Sequence, residues 1–250
     1  METKTIYLPN RLKGKHIFMS ASIPSKDRAE KYLRIENADI EIYEAVTSLA
    51  RAVFAEGGTL VFGGHPTISP MVSLIAGEYV SPKFAEGDVF DHSEEEKQYR
   101  KPVVIYQSMA YEKFITEETL NMEKLGYAKI VWTESVKDER FNPGIKDQPQ
   151  CEKSLYEMRK ELLLNTNPIA MICIGGMEGC EEETRMFREL RKSMPIYPIY
   201  TTGGAASLIA HWTNIVNIRL IKLDKKHYEV TPYPLIMQII IEELIHHNEL

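Results

Sequence analysis

Four short stretches of small residues carry the most chemically suggestive pattern in the chain: Ser20-Ala21-Ser22, Gly63-Gly64-His65-Pro66-Thr67, Gly175-Gly176-Met177-Glu178-Gly179 and Thr201-Thr202-Gly203-Gly204-Ala205-Ala206. Each follows directly on an apolar run. Glycine and hydroxyl residues at such junctions leave backbone N–H groups and helix N-termini free, and those groups attract phosphate. Any one stretch alone fits equally well as a tight turn in which glycine supplies a positive φ. Together on one edge of a sheet they predict a common cleft for a phosphorylated nucleotide. The candidate ligand-binding residues are then Ser20, Ala21, Ser22, Gly63, Gly64, His65, Thr67, Gly175, Gly176, Met177, Glu178, Gly179, Thr201, Thr202, Gly203 and Gly204. His65 is either a contact to phosphate or base, or a histidine ordered by hydrogen bonds within its own turn.

The elements that must position these stretches follow from hydrophobic periodicity. Residues 15–24 (KHIFMSASIP) predict a buried strand running into a tight loop, and residues 59–64 (TLVFGG) a second strand. Between them, Ile42, Tyr43, Val46, Leu49, Ala50 and Val53 recur at three and four, which predicts a helix from Asp39, its cap, to Glu56, closed by Gly57 and Gly58. Further strands are expected at 102–107, 128–133, 168–174 and 196–200. Further helices are expected at 70–79, 116–125 (capped by Thr116), 152–165, 181–193, 205–214 and 233–247. Residues 81–100 and 136–149 are polar and predict loops. Short apolar strands alternating with helices specify a doubly wound α/β fold, a mostly parallel sheet with helices on both faces, as in Rossmann-like domains. In such sheets ligands sit outside the carboxyl ends of the strands, where the small-residue stretches fall.

Composition narrows the classes further. The chain has 250 residues, 44% hydrophobic and 26% charged, ordinary for a globular protein, and no Pro/Gly/Ser linker divides it, so a single domain over 1–250 is expected. Lysine and arginine number 30 against 36 acidic residues, a net charge of −6 that lacks the basic excess of a nucleic-acid binder. Cys151, Cys173 and Cys180 match neither a disulfide framework nor a zinc site, and His246 and His247 lack a partnering motif, so no metal is indicated. The first 15 residues contain no apolar secretion signal and no stretch is long enough for a membrane helix, so a cytoplasmic location away from membranes is expected. Tyr106, at the end of the third strand, is either a base contact or core packing.

The segments IFMSASIP, LVFGGHPTISP, EMRKELL, MICIGGMEGCEEE and TTGGAA, spread from Ile17 to Ala206, resemble the SLOG superfamily of Rossmann-like nucleotide-binding domains. That superfamily includes LOG-type phosphoribohydrolases and the sensor domains attached to Sir2 or TIR enzymes in bacterial antiphage systems. GGHPTISP with TTGGAA resembles the sensor branch. EMRK followed by a glycine pair and glutamates resembles the hydrolase motif R-K…P-G-G-x-G-T-x-x-E. The sequence departs from it in having Ile174 for the proline, Cys180 for the threonine, and one more loop residue, Glu178.

The hydrolase resemblance implies that Arg159 and either Glu182 or Glu183 stand at an N-glycosidic bond. Cleavage there builds positive charge on the ribose, which a carboxylate stabilises while orienting water. The residue types are equally compatible with plainer roles. Glu181, Glu182 and Glu183 fit a helix first turn favoured by the macrodipole, and Arg159 fits a surface ion pair. The sensor resemblance implies instead binding of a nucleotide or an NAD-derived molecule, such as a cyclic ADP-ribose species, in antiphage or stress signalling, with output through a separate effector protein. Relatives of both types imply a homo-oligomer. No cofactor is called for.

Overall fold

The computed structural model describes residues 10–25, 30–32, 35–80, 101–142, 144–145, 150–214, 217–223 and 230–248. The expected loop 81–100, and residues 143 and 146–149 of the expected 136–149 loop, lie outside them. Six strands form one sheet: β1 (His16–Ser22), β2 (Thr59–Gly63), β3 (Val103–Ser108), β4 (Ala128–Thr133), β5 (Ala170–Gly175) and β6 (Ile196–Ile199). Their order is β4-β3-β2-β1-β5-β6, and every pairing is parallel. The chain moves outward from β1 to β4, then returns to lay β5 on the other flank of β1. The crevice above the β1/β5 pair is therefore the topological switch point, where ligands of open α/β sheets bind.

Alternate strand residues serve two separate cores, as a sheet covered on both faces requires. Ile17, Met19, Leu60, Phe62, Ile172 and Ile174 pack with helices α1 (Ala38–Ala55), α2 (Ser69–Tyr79), α3 (Glu117–Lys124) and α7 (Tyr233–Asn248). Phe18, Val61, Tyr106, Met171 and Cys173 face α4 (Glu152–Thr166), α5 (Glu178–Leu190) and α6 (Gly204–Ile209). Ser20 lies two residues beyond Phe18 and is presented to the α4/α5 face.

Most expected elements are present within one or two residues of their predicted ends, and the exceptions have local causes. α1 begins at Ala38 after Asn37, which adopts a left-handed conformation (φ 57°) without a side-chain cap, so Asp39 sits in the first turn instead of capping it. Ser108 accepts the Ala110 N–H and folds Met109–Phe114 into a 3-10 turn absent from the periodicity. α5 starts at Glu178, three residues before the expected position, so Glu182 and Glu183 lie beyond its first turn. α6 stops at Ile209 instead of continuing to 214. Thr116 caps α3 as expected, accepting the Thr119 N–H. Glu139 supplies a distant cap to α4, accepting the N–H groups of Ser154 (2.7 Å) and Lys153 (3.4 Å).

Candidate functional site

Arg159 emerges from α4, next to Met158, whose methyl group abuts Gly63 at the end of β2. Its guanidinium meets two carboxylates of α5. Nε donates to Glu183 Oε1 at 3.0 Å, and NH1 donates to Glu182. The other oxygen of Glu183 accepts the hydroxyl of Ser20 from the end of β1. Three elements, β1, α4 and α5, thus hold one carboxylate over the β1/β5 crevice. The side chains of Arg159 and Glu183 are 12% and 14% exposed, while that of Glu182 is 42% exposed. The proximity of Arg159 and α5 depends on Gly179, because a Cβ there would stand 3.0 Å from the arginine NH2.

Glu181 belongs to a different network. It accepts bonds from Lys31 Nζ (2.9 Å), the Tyr32 hydroxyl (2.9 Å) and Arg185 (2.8 Å). Burial opposes its ionisation, but the bonds from Lys31 and Tyr32 and the nearby cations outweigh that and hold its pKa below the usual carboxylate value. Burial, together with the adjacent Glu181, pushes the Tyr32 hydroxyl up to about 12. This network ties residues 31 and 32 to α5 beside the crevice, and the Ser25 N–H reaches Met177 Sδ at 3.4 Å.

The small-residue stretches divide into two groups. Those after β1, β5 and β6 interlock. The Gly176 N–H donates to Ser22 O (2.8 Å), the Gly175 N–H to Thr202 Oγ1 (2.7 Å) and the Ala205 N–H to Gly176 O (2.9 Å). Those N–H groups, expected to be free for phosphate, are consumed in holding the turns together. Gly175, Gly176, Gly203 and Gly204 all have positive φ, and a Cβ on Gly204 would fall 2.5 Å from the Gly176 carbonyl oxygen. Ala21 packs against the α1/α7 core, and Thr202 is fully buried, donating to Ile199 O. Thr201 lines a cavity of about 270 Å³ with Tyr197, Ile199, Ile221 and Ile236. Met177 and Gly179 are half-buried at the crevice, and Glu178 is exposed.

The stretch after β2 forms its own turn at the same rim. Gly64 donates to Tyr106 O (2.9 Å) and leaves room for the side chain of Gln107, which any Cβ would strike. His65 Nδ1 takes the Thr67 N–H at 3.3 Å and lies 2.9 Å from its hydroxyl, so the turn orders this histidine. Tyr106 is core, with burial pushing its hydroxyl pKa up. His247 contacts Arg219 at the surface. Gln107, Glu139 and the Ser20–Glu183 bond escaped sequence reasoning, because each acts on a partner remote in the chain or hidden on the other side of a turn.

Behind the site, Cys180 packs against Gly176, and its thiol is pushed well above its usual value by the neighbouring Cys173 and by burial. Among the described residues, no group of three or more His, Cys, Asp or Glu is placed to hold a metal ion, and no helix is long and apolar enough to cross a membrane.

The all-parallel α/β sheet defines a Rossmann-like domain, and an arginine–carboxylate–serine cluster lies at its switch point. The sequence profile of the SLOG cluster3 family matches residues 31–225, and the chain belongs to that family. No curated protein sequence matches it. Among solved structures it is similar to one titled X-ray structure of TM1055, a Northeast Structural Genomics Consortium target, with 15% identity over 82% of this chain and 90% of that chain and a TM-score of 0.46.

Proposed function

We propose that the protein binds a nucleotide or an NAD-derived small molecule in the crevice above β1 and β5. Support comes from family membership, the switch-point position and the convergence of Ser20, Arg159 and Glu183 there. In the sensor form of this proposal, the bound nucleotide is the signal in a bacterial stress or antiphage response. Its output passes through self-association or a separate effector chain.

One observation favours a second activity at the same site, hydrolysis of an N-ribosyl bond. Glu183 is fixed at both oxygens, by Arg159 and by Ser20, yet each oxygen keeps a further lone pair. A carboxylate held this way stabilises positive charge on a ribosyl carbon and orients water. The water hydroxyl adds to that carbon as its bond to the base nitrogen breaks, and the remaining proton ends on the base.

Incubation with AMP, NAD and related nucleotides, followed by chromatography for free base, separates the two activities. Base release that falls by roughly 10²-fold or more in Glu183→Gln supports hydrolysis. A thermal shift with all nucleotides intact supports the sensor. The absence of both base release and a thermal shift overturns the proposal.

A further inference from the structure

The arginine at the centre of the site is used unequally at its edges. Nε is committed to Glu183, which is nearly buried and braced by Ser20. NH1, on the outward edge, donates to Glu182, whose side chain is 42% exposed. NH2 lies beside Gly179, where the absence of a side chain leaves it room. The NH1/NH2 edge is the planar fork that grips phosphate or carboxylate through two parallel bonds. Glu182 fills that fork through a single nitrogen from a solvated position, on a helix whose first turn also carries Glu178 and Glu181, charges of the same sign.

We infer that Glu182 is an internal counter-anion, which a ligand's phosphoryl group displaces from the outer edge of Arg159 while Glu183 stays on the inner edge. The inference rests on the proposal that the crevice takes a nucleotide, and it assigns the two adjacent glutamates opposite roles. Glu183 is part of the working site. Glu182 sets specificity: it neutralises Arg159 when the crevice holds no ligand and discriminates against ligands lacking an anion strong enough to replace it. Glu182 is partly solvated already, so its displacement from Arg159 is a small penalty, and removing a nearby like charge favours the incoming anion, so deleting the Glu182 carboxylate strengthens phosphate binding.

The test is calorimetric titration of the full chain with AMP and with adenosine, comparing wild type, Glu182→Ala and Glu182→Gln. The expected result is AMP binding roughly three- to tenfold tighter in both variants at low salt, a gain that shrinks as salt rises, and adenosine affinity unchanged. Two variants of different size guard against a packing effect at one of them. AMP affinity that is equal or weaker in both variants, or a gain shared equally by adenosine, overturns the role of Glu182 and leaves the nucleotide site standing. Failure of both AMP and adenosine to bind any of the three proteins overturns the site and the inference together.

Discussion

Glycines with similar positive φ differ sharply in what surrounds them. Gly204 (φ +59°) is pressed against the backbone of Gly175 and Gly176, whereas Gly14 (φ +72°) has nothing within 4 Å of a would-be Cβ. Gly14→Ala therefore incurs only the left-handed backbone penalty, about 1–2 kcal/mol. Gly204→Ala adds a clash with atoms that cannot swing aside, and it separates the β5 and β6 turns. The expected outcome is a larger loss of stability for Gly204→Ala than for Gly14→Ala, measured by urea denaturation, with nucleotide-induced thermal shifts lost in the former. Equal losses would contradict the interlocked-turn geometry. The same scale shows what was readable in the chain. GGMEGCEEE is legible as a glycine turn running into an acidic helix start. It did not reveal which glutamate meets Ser20, because a hydrogen bond across 163 positions leaves no local trace.

Helix α5 links packing to the site. Phe187, fully buried, stacks on Phe18 of β1 with ring centroids 6.3 Å apart, and Glu183 stands one turn earlier on the same helix. Phe187→Ala is expected to cost roughly 3–5 kcal/mol through lost burial and a residual cavity, read from urea denaturation. A loss below about 1 kcal/mol would mean that α5 is not docked on the sheet as described. The strands and most helices were legible because apolar runs and 3.6-residue periodicity report burial directly. The start of α5 was not legible: glycines at 176 and 179 signal a turn, yet Gly179 is helical and small because Arg159 lies beside it. The cap on α4 was equally hidden, since Glu139 acts from a stretch whose composition predicts only a loop.

At the level of the whole molecule, the Glu181 network joins the segment around Tyr32 to α5, and its sign with pH is determined. The folded pKa of Glu181 lies below its ordinary value of 4.5, so its contribution is complete above that value and fades as pH falls through the lower folded one. Lys31 is raised from 10.5, so its share is complete below 10.5 and is lost only as pH rises through the folded value. Glu181→Gln is expected to melt roughly 2–4 °C below wild type near pH 7, a deficit on the order of 1 kcal/mol. The gap should narrow as pH falls from 4.5 through the lower folded value. A gap constant across that range would show that the carboxylate charge contributes nothing.

The placement of β5 against β1 also bears on how the protein is made. Ile17 pairs with Ala170, so a chain emerging from the ribosome can assemble β1 to β4 while one flank of its innermost strand still bears unpaired amide and carbonyl groups. Such an open border is a template for pairing with other nascent chains, and parallel pairing between distant segments forms slowly. Truncation before residue 170 therefore leaves that flank of β1 uncovered, and such a fragment is expected to scatter more light on standing than the full chain.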